Sequence, residues 1–342
     1  MSFSTNEIRA LAPGYFALVM ATGIVSIAAE NSGFHAVAHG LLWLNVGQYL
    51  VLGMLTLTRW RYFPHEFRSD LTDHQRGPGF FTLVAGTGVL AEQLILLQQA
   101  WRIALGLWGL ALLLWATLTY TIFAALTVKA NKPSLDRGLS GNWLLAVVAT
   151  QAIAILSTQL ASGFGDETRS VLNFLALALW LTGGMGYGLL ITLIFYRCLF
   201  FKFSPTDFSP HYWINMGAAA ISTLAGSALI ESATATEPLG PLLPFLKGMT
   251  LLFWACGTWW LPLLALLAVW RYGYHRFPLT YDPAGWSVVF PLGMYATCTF
   301  GIARILQSDF LLPVAQVFVY LALTAWVLTF LGMLHRLVKS KS

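Results

Sequence analysis

PGYFALVMATGIVSIA from Pro13 and PGFFTLVAGTGVLAEQ from Pro78 are two copies of one helix opening, and reading them together decides the fold. Three further stretches begin alike: GNWLLAVVATQAIAIL from Gly141, PHYWINMGAAAISTLAG from Pro210 and GWSVVFPLGMYATCTFG from Gly285. Each opens with Pro or Gly and then an aromatic, which suits a helix N-terminus at a membrane interface. The starts recur roughly every 63 to 75 residues, enough for two spanning helices and their turns. The unit is therefore one helical hairpin, repeated five times in the same direction, unlike the inverted repeats of many secondary transporters.

Composition agrees with this reading. Of 342 residues, 57% are hydrophobic and 10% charged, whereas a soluble domain carries about 25% charged residues. Runs long enough to cross the hydrocarbon, about 20 residues, lie near 11–30, 37–59, 79–98, 102–128, 141–160, 170–198, 211–231, 243–270, 285–305 and 310–337. The expected fold is an all-α integral membrane protein, a single transmembrane domain over residues 1–342 with no soluble module. The first run carries Pro13 and Gly14 at its start and lacks a basic leader and a small-residue cleavage site, so it reads as a span rather than a signal peptide.

Ten spans place both termini on one side. That side holds Arg9; Arg59, Arg61, Arg68 and Arg76; Lys129, Lys132 and Arg137; Arg197 and Lys202; Arg271 and Arg276; and Arg336, Lys339 and Lys341. The other holds only Arg102, Arg169, Lys247 and Arg304. The positive-inside rule then predicts cytoplasmic termini in a multi-pass protein of the cell membrane.

Equivalent hairpins of one orientation pack most simply as a ring, one helix of each pair inside and the other outside, around an axis that serves as a pore. The odd-numbered helices carry hydroxyls and amides at helical spacing: Thr22 with Ser26, Thr87, Thr150 with Ser157, and Asn215 with Ser222. The even ones hold long apolar runs such as LWGLALLLWA from Leu107 and LPLLALLAVW from Leu261, which suit lipid. The odd helices are accordingly expected to line the pore with those polar groups.

The ninth helix adds a plug. Pro291 inside the span removes a backbone hydrogen bond, and a kink is expected beside it. One face collects Ser287, Phe290, Gly293 or Met294, and Thr297, a small or polar stripe broken by one bulky ring. Phe290 reads either as that plug or as ordinary core packing. Among charged residues, Glu92 is the submerged one, about 20 Å along its helix, while Glu30, Glu231 and Arg304 fall near the outer ends of theirs. Glu92 reads as a proton-coupling carboxylate, as a partner of Arg304, or as an outer-mouth residue in water or a structural ion pair. His211 sits at the interface and receives no role.

Several chemistries are excluded. Cys198, Cys256 and Cys298 are far apart in apolar stretches and form neither a disulfide framework nor a zinc site. No H-E-x-x-H, no nucleophile with its base and no paired histidines within spans occur, so neither an intramembrane enzyme nor a metal or haem cofactor is expected. Low charge argues against nucleic-acid binding. Anions suit the expected pore, because no acidic residue falls in the first dozen residues of any odd helix and five helix N-termini would face the cytoplasmic mouth.

The two openings, and above all RFPLTYDPAGWSVVFPLGMYATCTFG from Arg276, resemble the tellurite-resistance and C4-dicarboxylate transporter family, which includes fungal malate permeases and sulfite exporters and the plant slow anion channels. The resemblance covers nearly the whole chain and is most specific over Trp286 to Phe290. It implies ten helices as five tandem hairpins, an inner ring of odd helices, frequent trimeric assembly, and pore occlusion by the aromatic four residues after the Trp, here Phe290. It implies permeation of small inorganic or organic anions. A gated anion channel is the leading reading; a proton-coupled carrier of C4-dicarboxylates and a sulfite or tellurite exporter are the rivals.

Overall fold

The computed structural model describes residues 5–233 and 237–339; Lys341, counted above with the terminal side, lies outside them. Ten helices are long and apolar enough to cross a membrane: α1 (Pro13–Asn31), α2 (His35–Tyr62), α3 (Gly77–Gln98), α4 (Trp101–Val128), α5 (Gly141–Ala161), α6 (Asp166–Phe200), α7 (Pro210–Ala233), α8 (Leu239–Tyr274), α9 (Pro283–Leu306) and α10 (Asp309–Lys339). No strand occurs among the described residues.

Burial separates the helices into two sets. Between 78% and 89% of the apolar window is buried in each odd helix, against 11% to 33% in each even one. The even helices show Trp43, Leu113, Phe174, Leu266 and Leu328 outward, an apolar coat suited to lipid. Among themselves, α1 packs on α3, α3 on α5, α5 on α7, α7 on α9, and α9 returns to α1, so the contacts form a closed cycle.

The shared openings have a shared structure. Pro13–Phe16, Gly77–Phe80, Gly141–Leu144, Pro210–Trp213 and Pro283–Gly285 are all 3-10 turns leading into α-helix, and they touch one another in the same cyclic order. Small residues permit this approach. A Cβ on Gly79 would lie 3.0 Å from the amide nitrogen of Gly14, and one on Gly141 would collide with the carbonyl of His211.

Buried ion pairs tie the loops to this face. Asp70 accepts from Arg59 at 2.6 Å and faces Arg76 at 3.0 Å. Arg197, at the end of α6, donates to the Asp136 carbonyl at 2.7 Å, to the Tyr212 hydroxyl and to Asp207 at 3.4 Å. Arg59 and Arg197 lie in the last turns of α2 and α6, where they offset the helix dipole.

Candidate functional site

At the face opposite the termini, a cavity of about 500 Å³ opens between the ends of the odd helices. All five contribute: Ile27 and Asn31 from α1, Glu92 and Leu96 from α3, Ile155, Thr158 and Gln159 from α5 with Ser162 just past its end, Leu224, Ser227, Ala228, Glu231 and Ser232 from α7, and Thr297, Gly301 and Arg304 from α9. Arg169, from the start of α6, is the remaining wall residue. The pattern was visible in the sequence, since every odd helix ends in polar side chains, but sequence reasoning there weighed the charged ones and missed Gln159, Ser162 and Ser227 as a set.

The cavity residues identify which face of α9 looks inward. Phe290 lies seven residues before Thr297 and eleven before Gly301, whole turns of helix, so it continues that face about 10 Å deeper. It is buried, at 1% exposure. Met294 lies seven residues before Gly301 and is also buried. Ser287 is buried near the start of the helix. The helix runs without a break through Pro291, whose ring packs on α7: a Cβ on Gly217 would stand 2.8 Å from its Cγ. Gly293 is turned to α1, where a Cβ would meet Ile24 at 3.0 Å. Thr297 reaches the cavity, and its hydroxyl donates to the Gly293 carbonyl at 3.0 Å.

Four of the other polar groups expected on the pore wall, Thr22, Ser26, Thr87 and Thr150, bond groups of the even helices. The Trp326 indole on α10 donates to the hydroxyl of Thr22 at 3.0 Å, and Trp115 on α4 donates to that of Thr150 at 2.8 Å. Tyr49 on α2 bonds Thr87 at 3.0 Å. Trp180 and Tyr187 on α6 donate to the backbone carbonyls of Ser222 and Asn215 at 2.8 and 3.2 Å, and Trp254 on α8 donates to Thr299 at 3.1 Å. Ser26 donates to the Ala38 carbonyl of α2 at 2.7 Å. The Ser222 hydroxyl donates to the Ala218 carbonyl, and the amide of Asn215 is buried. The physical reason is that an indole or phenol in hydrocarbon needs an acceptor, and a hydroxyl on the facing helix supplies it. Wherever an indole or phenol of an even helix is the partner, it reaches the odd helix that follows in the chain, and α10 reaches α1.

Electrostatics of the cavity also depart from expectation. Arg304 donates to Glu231 at 3.0 Å rather than to Glu92. Both lie two residues from their helix ends and meet across the mouth, whereas Glu92 lies six residues short of the end of α3, about 6 Å deeper than they are. Glu92 is buried at 7% exposure, and its Oε1 accepts from Gln159 Nε2 at 3.3 Å. Arg169 donates to Asp166 at 3.4 Å and to the carbonyls of Ala161 and Phe164. Glu30 contacts His35 at 2.9 Å. No cluster of three or more His, Cys, Asp or Glu side chains able to hold a metal occurs among the described residues.

Known proteins place this architecture. The chain is 37% identical over 147 residues to a Mycobacterium tuberculosis protein named an uncharacterized membrane protein, covering 43% of this chain and 74% of that one. It is 21% identical to an uncharacterized transporter of Methanocaldococcus jannaschii, over 97% of this chain and 96% of that one. It is 23% identical to the sulfite efflux pump SSU1 of Trichophyton rubrum, over 93% and 88%. Residues 10–334 match the family described as SLAC1, voltage-dependent anion channel. With ten membrane-length helices, a mouth lined by the five buried ones and a match over almost its full length, the chain belongs to that family, whose business is the transport of anions across membranes.

Proposed function

We propose that the protein is a passive, gated pathway for small anions, running along the axis enclosed by α1, α3, α5, α7 and α9 and closed by Phe290. The observation that carries this reading is the convergence of all five buried helices on one vestibule, with Phe290 on the vestibule face of α9, two turns below Thr297. The vestibule wall includes the apolar Ile27, Ile155 and Leu224, and an apolar constriction excludes ions by staying dry. On the face holding the termini, five helix N-termini offer positive dipole ends, and the basic residues there favour that face as cytoplasmic. The likeness to a sulfite efflux pump supports a small oxyanion as cargo. Catalysis forms no part of this reading.

The test is anion flux in proteoliposomes for wild type and Phe290→Ala. Removing the ring is expected to raise flux about tenfold, equivalent to ~1.4 kcal/mol off the barrier, with flux following the electrical driving force. An unchanged flux and selectivity in Phe290→Ala overturns the gate assignment.

One observation favours a second reading, a proton-coupled carrier of C4-dicarboxylates: Glu92 is a buried carboxylate in the wall of the vestibule. Malate flux that collapses when the pH gradient is removed would select the carrier.

A further inference from the structure

Ionised carboxylates at membrane depth are held by cations or by several donors. Glu92 has neither. Its described hydrogen bond is the single 3.3 Å contact from the Gln159 amide. The charged groups that share its cavity are Arg169 on α6, Glu231 on α7 and Arg304 on α9. Arg304 is engaged by Glu231 and Arg169 by Asp166 and two carbonyls. Gln159 on α5 and Ser162 just past its end are neutral, as are Ile27 and Asn31 on α1. In a cavity large enough to admit an anion, a carboxyl buried in the wall thus takes any further partner from the cavity itself.

An ionised Glu92 repels any anion that enters, and a bare anion such as nitrate brings nothing to offset this. An oxyanion that carries an acidic proton does. Its O–H donates to the Glu92 carboxylate, which is the same bound complex as a neutral Glu92 donating to the doubly ionised oxyanion. One proton lies between two oxygens, no covalent bond other than O–H is altered, and the net charge of the pair is the same in both descriptions. We propose that Glu92 selects the cargo of the vestibule by sharing a proton with it, favouring oxyanions that hold an exchangeable proton near neutral pH, such as sulfite, over nitrate and halide. The proposal rests on the anion-pathway reading above and names the cargo class that pathway prefers.

The test is flux of sulfite and of nitrate in proteoliposomes holding the full chain, wild type and E92Q, with pH equal on both sides and set between about pH 6 and about pH 8. Wild-type nitrate flux is expected to fall as pH rises, because Glu92 then ionises. In E92Q nitrate flux is expected to be independent of pH, and the sulfite-to-nitrate ratio to fall roughly tenfold, since the amide no longer exchanges a proton with the cargo. E92Q that keeps the wild-type ratio and the wild-type pH response overturns the proposal while leaving anion transport intact. Absence of flux for either anion in wild type overturns the transport reading itself. Should E92Q fail to fold, Q159L keeps the carboxyl and removes its donor, and is expected to move the midpoint of the nitrate response to higher pH; an unmoved midpoint counts against the proposal.

Discussion

The indole N–H of Trp326 donates to the hydroxyl of Thr22 at 3.0 Å across 304 positions of sequence. This bond joins the last spanning helix to the first, and with α9 packed on α1 it closes the cycle of helix contacts. Trp326→Phe keeps the ring and deletes the donor. Its expected cost is about 1 kcal/mol, the scale of a polar contact between membrane helices. Thr22→Ala should cost a similar amount, and the double variant no more than the larger single loss, because both remove one bond. Thermal unfolding in detergent of the three variants checks this; full additivity would mean that the pair does not interact.

Asp70 sits between Arg59 and Arg76, with its side chain 8% exposed and that of Arg59 4% exposed. Asp70→Asn leaves the Arg59 cation buried without its counter-charge, an arrangement that costs roughly 3–5 kcal/mol. By contrast, Asp166, whose side chain is 99% exposed beside Arg169, should be replaceable by Asn with no change in the melting curve. Equal effects of the two substitutions would show that burial is not what gives the Asp70 pair its weight.

Asp207 lies in the loop between α6 and α7. Partial burial works to raise its proton affinity, but donation from the hydroxyl and backbone N–H of Ser204, with the Arg197 guanidinium, outweighs it and holds the carboxyl below the usual range. A depressed folded-state value means that the contribution to stability is complete above the unfolded value, about 3.9, and is lost as pH falls through the folded value. Wild type should therefore lose melting temperature on acidification below about pH 4. Asp207→Asn should lose less over the same interval, and equal slopes for the two proteins would exclude this carboxylate as a source of the acid sensitivity.

The ten spans and their common opening could be read directly from the chain, because both signals are local. Twenty apolar residues have one stable disposition in lipid, and Pro or Gly followed by an aromatic marks a helix start whatever it packs against. The match of five openings from Pro13, Pro78, Gly141, Pro210 and Gly285 became five 3-10 turns in mutual contact, and the apolar runs of α4 and α8 became outward surfaces. Phe290 could be singled out because it interrupts a stripe of small and polar residues on one face of its own helix.

Which way each hydroxyl points was decided by tertiary structure. Thr22, Thr87 and Thr150 occupy helical positions equally able to meet water in a lumen or an aromatic donor from a neighbouring helix; nothing within their own helices distinguishes the two, and Trp326, Tyr49 and Trp115 supply the donor from elsewhere in the chain. The same holds for charge. Glu92, Glu231 and Arg304 are each legible as membrane-embedded ionisable residues, but pairing requires depth as well as proximity, and only the packed helix ends bring Arg304 level with Glu231 while leaving Glu92 deeper with the Gln159 amide. The chain alone determines the helices and their repeat, since hydrophobicity and helix initiation act over a few turns; the fold decides which polar groups face the vestibule, since a hydrogen bond in a membrane goes to whichever partner the neighbouring helix presents.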